Sequence, residues 1–364
     1  MGIKTALTRL HCRMKNAAEH KSIPMQVYDL IAHKIIINTD PFDYYEFGFY
    51  KSDKSWEEKS RYIGIRGSRY YPYENNPLKF NILFTNKYVE KLLLKGAGLP
   101  TPELLTTIGV DYEIRTQQQL EAFLSSITAD VVFKPISGAE GKKIIIVSRQ
   151  DDTLLVNNKA SSIDAIWNHV SSDLKRGFIL EEKQINPPQL SRFFPNCLNT
   201  YRVITIKTND GKWHLACITL KMGTGNNVVD NYAAGGAEIY IDKNGVSLRA
   251  SSKQLGLFTH HPDTNAELIG IELEGYHEVI DLALRASKAF GFMGTFGWDI
   301  AFTPEGAKII EGNLFWGSTY PELSEGMVTD EIAKGLTPRH MFSKWNKQYM
   351  HPRIDRSRRW PWRR

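Results

Sequence analysis

Two acidic residues and one amide in the C-terminal third of the chain have the types and spacing of a cation site. Asp299 lies in an apolar run before Pro304-Glu305-Gly306, and Glu311 and Asn313 end a second apolar run. The proline and the glycine predict a three-residue hairpin loop between the runs. With that loop, Asp299 lies opposite Glu311, and Asn313 shares the face of Glu311 because strand side chains alternate.

The facing carboxylates of Asp299 and Glu311 repel each other unless water or a cation lies between them. Magnesium prefers oxygen ligands and is usually held by one or two carboxylates together with substrate phosphates. For an acid pair considered alone, a solvated hairpin face is the more common explanation. The rest of the chain therefore has to decide between a solvated face and a metal site.

The composition indicates a folded protein of a reducing compartment. The 364 residues suffice for two or three domains or subdomains, and 42% hydrophobic residues supply a core. Cys12, Cys197 and Cys217 lack C-x-x-C spacing, which argues against a disulfide framework and against a zinc site. No apolar run approaches the roughly 20 residues that span a bilayer, and the amino terminus lacks a signal-peptide core. We expect a soluble, cytoplasmic protein.

The net charge of +6 is concentrated at the C-terminal end. Residues 339–364 contain nine Lys or Arg and one Asp, a balance of +8 that leaves −2 for the remainder. With Trp345, Trp360 and Trp362, this tail has a composition suited to peripheral contact with the inner membrane surface. A solubilising, unstructured end is the favoured interpretation, and we expect no nucleic-acid partner.

The first half of the chain predicts a preface followed by a mixed subdomain. Residues 1–80 combine short helical patterns with aromatic stretches, which indicates a small helical or mixed unit. From Asn86 the signals are sharper. Asn86 predicts the N-cap of a helix whose first turn contains Lys87, and Gly96-Ala97-Gly98 ends that helix.

A glycine-containing loop follows the predicted strand that ends near Lys134. Its residues include Ser137, Gly138, Gly141 and Lys142, and a second strand pattern comes directly after it. The order strand, loop, strand excludes a P-loop, which opens a helix. Such a loop can fold over a polyphosphate through backbone N–H groups and lysine side chains, although a plain hairpin loop explains the segment alone.

The second half of the chain is rich in strand patterns. Pro187-Pro188 interrupts the chain after an acidic strand end, as a hinge between subdomains would. Residues 223–236 form a loop rich in turn formers, and loops of that length are usually functional or disordered. An amphipathic helix over residues 277–290 precedes the hairpin. Strands are predicted over residues 201–208, 213–221 and 237–241.

The order of these features resembles the ATP-grasp superfamily, and most closely its sugar-transfer-associated branch. The resemblance covers about residues 80–325. It implies an α+β ATP-grasp fold in which two subdomains clamp ATP, with boundaries at 1–80, 81–185, 186–338 and 339–364 for the preface, the two subdomains and the basic tail. It rests on the late hairpin and on Leu198-Asn199-Thr200-Tyr201-Arg202-Val203-Ile204-Thr205, Asp230-Asn231-Tyr232-Ala233-Ala234-Gly235-Gly236, His261-Pro262-Asp263-Thr264 and Gly297-Trp298-Asp299.

The resemblance also implies roles for single residues. Arg202 and Lys134 would be catalytic, and His261 is equally well explained as a satisfied loop residue. No ribose-binding acid is evident after the adenine-binding strand. The implied ATP-binding residues are Lys87, Lys134, Ser137, Gly138, Gly141, Lys142, Glu182, Lys183 and Ile185. The implied ligands of two magnesium ions are Asp299, Glu311 and Asn313, with Glu311 bridging. The implied substrate-side residues are Asn199, Asp230, Asn231, Gly235, Gly236 and His261.

The activity that the resemblance implies is ATP-dependent amide formation. A carboxylate would be activated as an acyl phosphate and then captured by an amine, in the synthesis of a cell-surface polysaccharide or sugar conjugate. The expected partners are small-molecule carboxylate and amine substrates, with a saccharide precursor among the candidates. Two alternatives stay open: an ATP-dependent kinase that acts on a sugar hydroxyl, and a non-catalytic nucleotide-binding scaffold.

Overall fold

A computed structural model describes most of the chain. The basic tail, Lys142 and the alanines at 233 and 234 lie outside the described residues. Within the described part of the chain, no helix combines the length and apolar character that crossing a bilayer requires. The described residues are 3–36, 40–51, 54–64, 71–72, 75–138, 141, 143–151, 153–232, 235–252, 254–317 and 326–335.

The N-terminal region is helical and packs around aromatic side chains. Its buried cluster contains Tyr44, Tyr45, Phe47 and Phe49. Its α-helices are α1 (Ile3–Asn16), α2 (Ile23–Ile36), α3 (Pro41–Glu46) and α4 (Trp56–Ser60), and single 3₁₀ turns lie at Ala17–Glu19 and Leu78–Phe80. Two further helices lead into the first sheet, α5 (Ile82–Thr85) and α6 (Lys87–Gly96).

A six-stranded sheet follows, in the spatial order β1-β6-β2-β3-β4-β5, with antiparallel neighbours throughout. Its strands are β1 (Leu104–Ile108), β2 (Val131–Pro135), β3 (Ile145–Gln150), β4 (Thr153–Val156), β5 (Lys159–Ser161) and β6 (Phe178–Glu182). The helices α7 (Gln117–Ser126) and α8 (Ile163–Ser171) bury leucine, isoleucine and valine side chains against its core.

The second sheet has seven antiparallel strands in the order β11-β10-β9-β8-β7-β12-β13. Its strands are β7 (Thr200–Lys207), β8 (Trp213–Met222), β9 (Ala237–Ile241), β10 (Ser247–Ser252), β11 (Gly256–Phe258), β12 (Thr295–Thr303) and β13 (Gly306–Asn313). The remaining helices are α9 (Pro188–Ser191), α10 (Tyr276–Ala289) and α11 (Asp330–Gly335). The apolar face of α10 packs on this sheet, as its amphipathic pattern predicts.

The hairpin of β12 and β13 confirms the predicted pairing through a different loop. The turn is Pro304-Glu305, one residue shorter than predicted, because Gly306 already pairs with the end of β12. With this turn and no bulge, Asp299 would lie opposite Ile310 and not opposite Glu311. Ile310 is an extra residue in β13, and this bulge restores Asp299 opposite Glu311.

Candidate active site

Asp299 is the centre of a network that four strands build. Asn313 Nδ2 donates to Asp299 Oδ2 at 3.2 Å, which confirms that the two side chains share a face. Arg202 on β7 pairs with the same carboxylate in a bidentate manner, at 2.7 Å from Nε and 3.2 Å from Nη2. Lys221 on β8 lies 3.1 Å from Asp299 Oδ1. The lateral order of β8, β7 and β12 therefore brings two cations to one acid.

The charges of these groups support one another. Burial tends to raise the pKa of Asp299, but Arg202 and Lys221 outweigh it, so the pKa lies below its ordinary value. Burial tends to lower the pKa of Arg202, and Asp299 raises it above its ordinary value. Asp299 and Arg202 therefore both remain charged at neutral pH.

Lys87 connects the opposite side of the site to the hairpin. Its Nζ atom pairs with Glu311 at 2.6 Å and donates to the Gly138 carbonyl oxygen at 3.3 Å. Burial tends to lower the pKa of Lys87, but Glu311 outweighs it and raises the pKa. The predicted phosphate-binding lysine, the glycine-containing loop and the predicted bridging ligand therefore meet. We call Lys87, Arg202, Lys221, Asp299 and Glu311 the acid–cation cluster.

The start of α6 places Lys87 accurately. Asn86 is the N-cap, as the sequence predicts, and its Oδ1 atom accepts from the Val89 backbone N–H at 3.0 Å. The Lys87 backbone N–H donates to the Ile136 carbonyl oxygen at 2.8 Å, directly before the glycine-containing loop. One backbone contact and one cap thus fix the lysine relative to that loop.

Lys134 belongs to a buried ion triad next to the cluster. Glu181 binds Lys134 through Oε2 at 2.6 Å and Lys91 through Oε1 at 2.7 Å. Burial tends to raise the pKa of Glu181, but the two ammonium groups outweigh it and hold the pKa below its ordinary value. The triad joins β2, β6 and α6 and holds the stem of Lys134 in one orientation.

The helix α6 is also tied to β13. The Gly312 backbone N–H donates to the buried Glu90 carboxylate. Thr101 accepts from Lys91 Nζ at 2.5 Å and donates to the Ile309 carbonyl oxygen at 2.9 Å. A Cβ atom at Gly312 would lie 2.6 Å from the Trp298 ring. This close approach explains the glycine, and the contacts fix the hairpin against α6.

Glu90 is a buried acid whose ionisation should destabilise the fold. Burial first, and then the charge of Glu311, raise the pKa of Glu90 well above its ordinary value. A raised folded-state pKa stabilises the protein below the unfolded-state pKa of about 4.3, and this contribution is lost as the pH rises through the folded-state value.

The variant Glu90→Gln tests this expectation. Glutamine retains the acceptor for the Gly312 N–H but carries no charge, so unfolding at pH 8 should require about 1 kcal/mol more than in the parent protein. This gain in the free energy of unfolding should shrink as the pH is lowered toward 4. The measurement is urea unfolding in the absence of magnesium. The matched control is Glu278→Gln, an exposed acid that accepts from the Ala307 N–H at 2.6 Å on the same strand. An equal gain in the control would contradict the assignment.

The predicted adenine-binding residues stand together at the end of β6. Glu182 is exposed, whereas Glu181 points into the ion triad, as strand alternation requires. Lys183 pairs with Asp130 at 2.9 Å, and the Ile185 side chain is 60% exposed. The strand end is therefore accessible, and its role in base recognition remains a prediction.

The glycine-containing loop lies between the two sheets. Gly138 is exposed and adopts a φ of 140°, and Ser137 beside it is half-buried. Gly141 has a φ of 68°, and a Cβ atom there would lie 3.0 Å from the Val229 side chain. Glycine is therefore required at Gly141 both by conformation and by the approach of the second-sheet loop.

The predicted substrate residues fall into two groups. Asp230 accepts from the Thr200 backbone N–H at 3.0 Å and lies 3.7 Å from Lys221, so it borders the acid–cation cluster. Burial first raises the pKa of Asp230, and Lys221 opposes that rise only in part. The structure thus brings one predicted substrate residue to the cluster.

The second group supports loop backbones. Asn199 is buried and donates to the Leu190 and Phe194 carbonyl oxygens at 2.9 and 3.1 Å. His261 Nε2 lies 2.9 Å from the Gly223 carbonyl oxygen, and burial lowers the pKa of this histidine. Two hydrogen bonds lie within the loop of residues 223–236. The Asn231 carbonyl oxygen accepts from the Gly236 N–H at 3.0 Å. The Gly235 carbonyl oxygen accepts from the Thr224 hydroxyl at 2.6 Å.

Sequence reasoning missed four charged residues of this region: Glu90, Lys91, Glu181 and Lys221. A signal was available for Lys221, because it lies between Leu220 and Met222 in a strand pattern that is otherwise apolar over residues 216–222 except for Thr219. The structure buries this strand from Ala216 to Met222. A charged residue inside a buried strand is usually paired. For Lys91 and Glu181 the partner is distant in the sequence, so the pairing could not be read locally.

The donor set fits magnesium. Asp299, Glu311 and Asn313 carry hard oxygen atoms on one face. In this structure Arg202 and Lys221 pair with Asp299, and Lys87 pairs with Glu311, so magnesium would share the two carboxylates with these cations. Across the part of the chain that the structure describes, no group of three or more His, Cys, Asp or Glu side chains could hold a metal ion. Magnesium here would therefore complete its ligands with the amide of Asn313 and with phosphate oxygens.

Comparison with solved structures shows distant similarity. A biotin carboxylase–β,γ-ATP complex from Campylobacter jejuni is 15% identical over 70% of this chain and 47% of that chain, with a TM-score of 0.42. An L-amino acid ligase from Bacillus licheniformis is 15% identical over 65% and 42%, with a TM-score of 0.38. D-alanine–D-alanine ligase from Bacillus anthracis is 16% identical over 66% and 62%, with a TM-score of 0.39. The chain thus spans less than two thirds of each of these structures, and such distant likeness carries no argument about activity.

Comparison at the level of sequence is more informative about the family of the chain. No curated protein matches the chain. The sequence model described as sugar-transfer associated ATP-grasp matches residues 66–335, which is most of the chain and includes both sheets and the acid–cation cluster. The α+β fold with two sheets agrees with the fold that the sequence motifs predict. The chain therefore belongs to the sugar-transfer associated ATP-grasp family.

Proposed function

We propose that the protein is an ATP-dependent carboxylate–amine ligase that forms an amide through an acyl phosphate. The observation that carries the proposal is the acid–cation cluster. Lys87, Arg202 and Lys221 come from α6, β7 and β8 and meet the Asp299 and Glu311 pair. A site that binds a polyphosphate together with its metal ion needs cations for the phosphate oxygens and acids for the metal, close to one another.

The lysines and the arginine have separate tasks in this proposal. Lys87 and Lys134 bind the phosphates of ATP beneath the loop from Ser137 to Lys143, and Arg202 with Lys221 stabilises the transferring phosphoryl group. Magnesium held by Asp299, Glu311 and Asn313, with Glu311 shared between two ions, would neutralise the phosphate oxygens. Because little covalent work falls to the protein, position and charge supply most of the catalysis.

The two chemical steps balance without a further reagent. A substrate carboxylate oxygen attacks the γ-phosphorus, the bond to the β,γ-bridging oxygen breaks, and ADP leaves. The amine, once it has released one proton to water and is neutral, attacks the acyl carbon. The bond to the phosphate oxygen breaks, and inorganic phosphate leaves while the nitrogen loses a second proton. Asp230 at the border of the cluster is suited to bind the cationic form of the amine.

The proposed substrates are small molecules, and a saccharide precursor fits the family name. We place the reaction in cell-surface polysaccharide or sugar-conjugate synthesis. The test is ADP release by the purified protein with ATP and magnesium, screened against carboxylates, amines and sugars. Release that requires a carboxylate and an amine together, with an amide product, supports ligation. A phosphorylated sugar without an amide would instead assign a kinase, and binding without ADP release would assign a scaffold.

The cap of α6 provides a local test of the phosphate site. We expect Asn86→Ala to lower the free energy of unfolding by about 1 kcal/mol and to raise KM for ATP, because Lys87 loses its fixed position. Thr116→Ala is the matched control, since Thr116 caps α7 by accepting from the Gln119 N–H at 3.3 Å. It should lose similar stability with KM unchanged. Equal changes of KM in both variants would argue against Lys87.

A further inference from the structure

The helix α2 exposes large apolar side chains along one face. Ile23, Val27, Ile31 and Ile35 follow one another at intervals of four residues, and Tyr28 lies beside them. Their exposed fractions range from 42% at Ile23 to 72% at Ile35. We call these five residues the α2 apolar face. Together they expose an area on the order of 500 Å², near the upper end for the largest apolar patch of a monomer.

The opposite face of α2 is buried although it is polar. Gln26 donates to the Met14 and Lys21 carbonyl oxygens at 3.1 and 2.6 Å. Asp29 accepts from the Tyr44 hydroxyl at 2.8 Å, and His33 Nδ1 contacts the Asp29 carbonyl oxygen at 2.7 Å. All three polar side chains are less than 10% exposed.

The polar residues of α2 thus face the protein interior and its apolar residues face solvent, which is the reverse of an ordinary amphipathic surface helix. In water a surface helix buries its apolar stripe and exposes its polar residues. Here hydrogen bonds stabilise the buried side, while the apolar stripe contributes little to the core. This arrangement is favourable when a second apolar phase covers the stripe.

We propose that the α2 apolar face docks on an anionic lipid surface. Residues 3–36 contain six Lys or Arg against two acids, Glu19 and Asp29, a balance of +4. Lys21 pairs with Asp29, and Arg13 pairs with Glu46 outside this segment, which leaves a balance of +3. Lys15, at the end of α1, is exposed. A helix that combines apolar side chains with basic neighbours lies in the interface plane of an anionic membrane. The proposal is independent of the proposed activity.

Two other occupants of this face fit less well. A dimer through the α2 apolar face alone would bury about 1,000 Å² in total, below the size of standard stable interfaces. The chain's own tail of residues 339–364 carries a balance of +8, from nine Lys or Arg against one Asp, so it repels a basic helical region. An anionic surface attracts both segments.

The test is co-sedimentation of the full chain with vesicles. The parent protein should bind vesicles of phosphatidylcholine mixed with phosphatidylglycerol and bind pure phosphatidylcholine vesicles weakly. The double variant Ile31→Glu/Ile35→Glu should bind the mixed vesicles at least about tenfold less, because two apolar side chains are replaced by anions. The matched control is Leu255→Glu/Leu257→Glu, in which two leucines 58% and 61% exposed near β11 are changed.

Several outcomes would overturn the proposal. Unchanged binding by the α2 variant, equal loss in the control, or equal binding of the parent protein to both vesicle types would each exclude this surface as an anionic membrane contact. Sedimentation equilibrium tests whether a second copy of the chain covers the face instead. If the parent protein is a dimer that does not bind vesicles, and the α2 variant is a monomer, the face belongs to a dimer interface. An unchanged circular dichroism spectrum and thermal midpoint of the α2 variant exclude misfolding as the cause of lost binding.

Discussion

Replacing Glu311 with Gln is expected to reduce ADP release by at least about 100-fold, equivalent to about 2.7 kcal/mol of transition-state stabilisation. Glu311 is the hairpin acid that pairs with Lys87 at 2.6 Å and the proposed ligand shared between two magnesium ions. Glutamine keeps the size of the side chain and an acceptor for Lys87 but removes the charge. The loss should therefore appear in turnover, while the fold is retained.

The control for this variant lies on the same hairpin. Glu305→Gln changes an exposed acid in the turn that pairs with Lys308, and we expect full activity from it. The measurement is steady-state ADP release over a magnesium titration, together with thermal unfolding. Turnover of Glu311→Gln at the parent rate would defeat the metal assignment, and equal loss in the Glu305 variant would assign the effect to the hairpin as a whole.

Replacing Glu181 with Ala is expected to have the largest effect on stability, a loss of about 3–5 kcal/mol in the free energy of unfolding. The carboxylate binds Lys91 and Lys134 at 2.7 and 2.6 Å, and its removal leaves two ammonium groups buried without their shared partner. Activity should fall as well, because Lys134 loses the contact that orients it. Urea unfolding at neutral pH measures the stability.

The pH dependence distinguishes this charge effect from a simple cavity. The pKa of Glu181 is lowered in the folded state. Its contribution is therefore present above the unfolded-state pKa of about 4.3 and is lost as the pH falls through the folded-state value. The difference between the parent protein and the variant should shrink in acid. Glu182→Ala, which changes the exposed neighbour, should cost less than about 0.5 kcal/mol. A constant difference across pH would contradict the ion triad.

The hairpin shows how far local sequence reasoning extends. Strand alternation and the turn residues predict the pairing of Asp299 with Glu311, and that pairing is confirmed. The loop length is wrong by one residue, because a two-residue turn with a bulge at Ile310 gives the same pairing as a three-residue loop without a bulge. Caps are equally local, and the N-cap Asn86 is placed correctly.

Only part of the acid–cation cluster could be predicted from the sequence. Lys87, Arg202 and the hairpin acids follow from motifs and their order in the chain. Lys221 enters because β7 lies between β8 and β12, an order that no local pattern specifies. The same holds for α2, because no local pattern specifies that its apolar residues are exposed and that Gln26 and Asp29 are buried.

Features that depend on neighbouring residues follow from the sequence alone: the caps, the strand periodicity, the charge balance and the motif order that identifies the family. Features that depend on residues distant in the chain appear only in the folded protein. Glu181 meets Lys91, and Glu90 meets Gly312, across separations of 90 and 222 residues. Buried charges require partners wherever the fold can supply them, so only the packing of α6 against both sheets reveals which acids and lysines form the site.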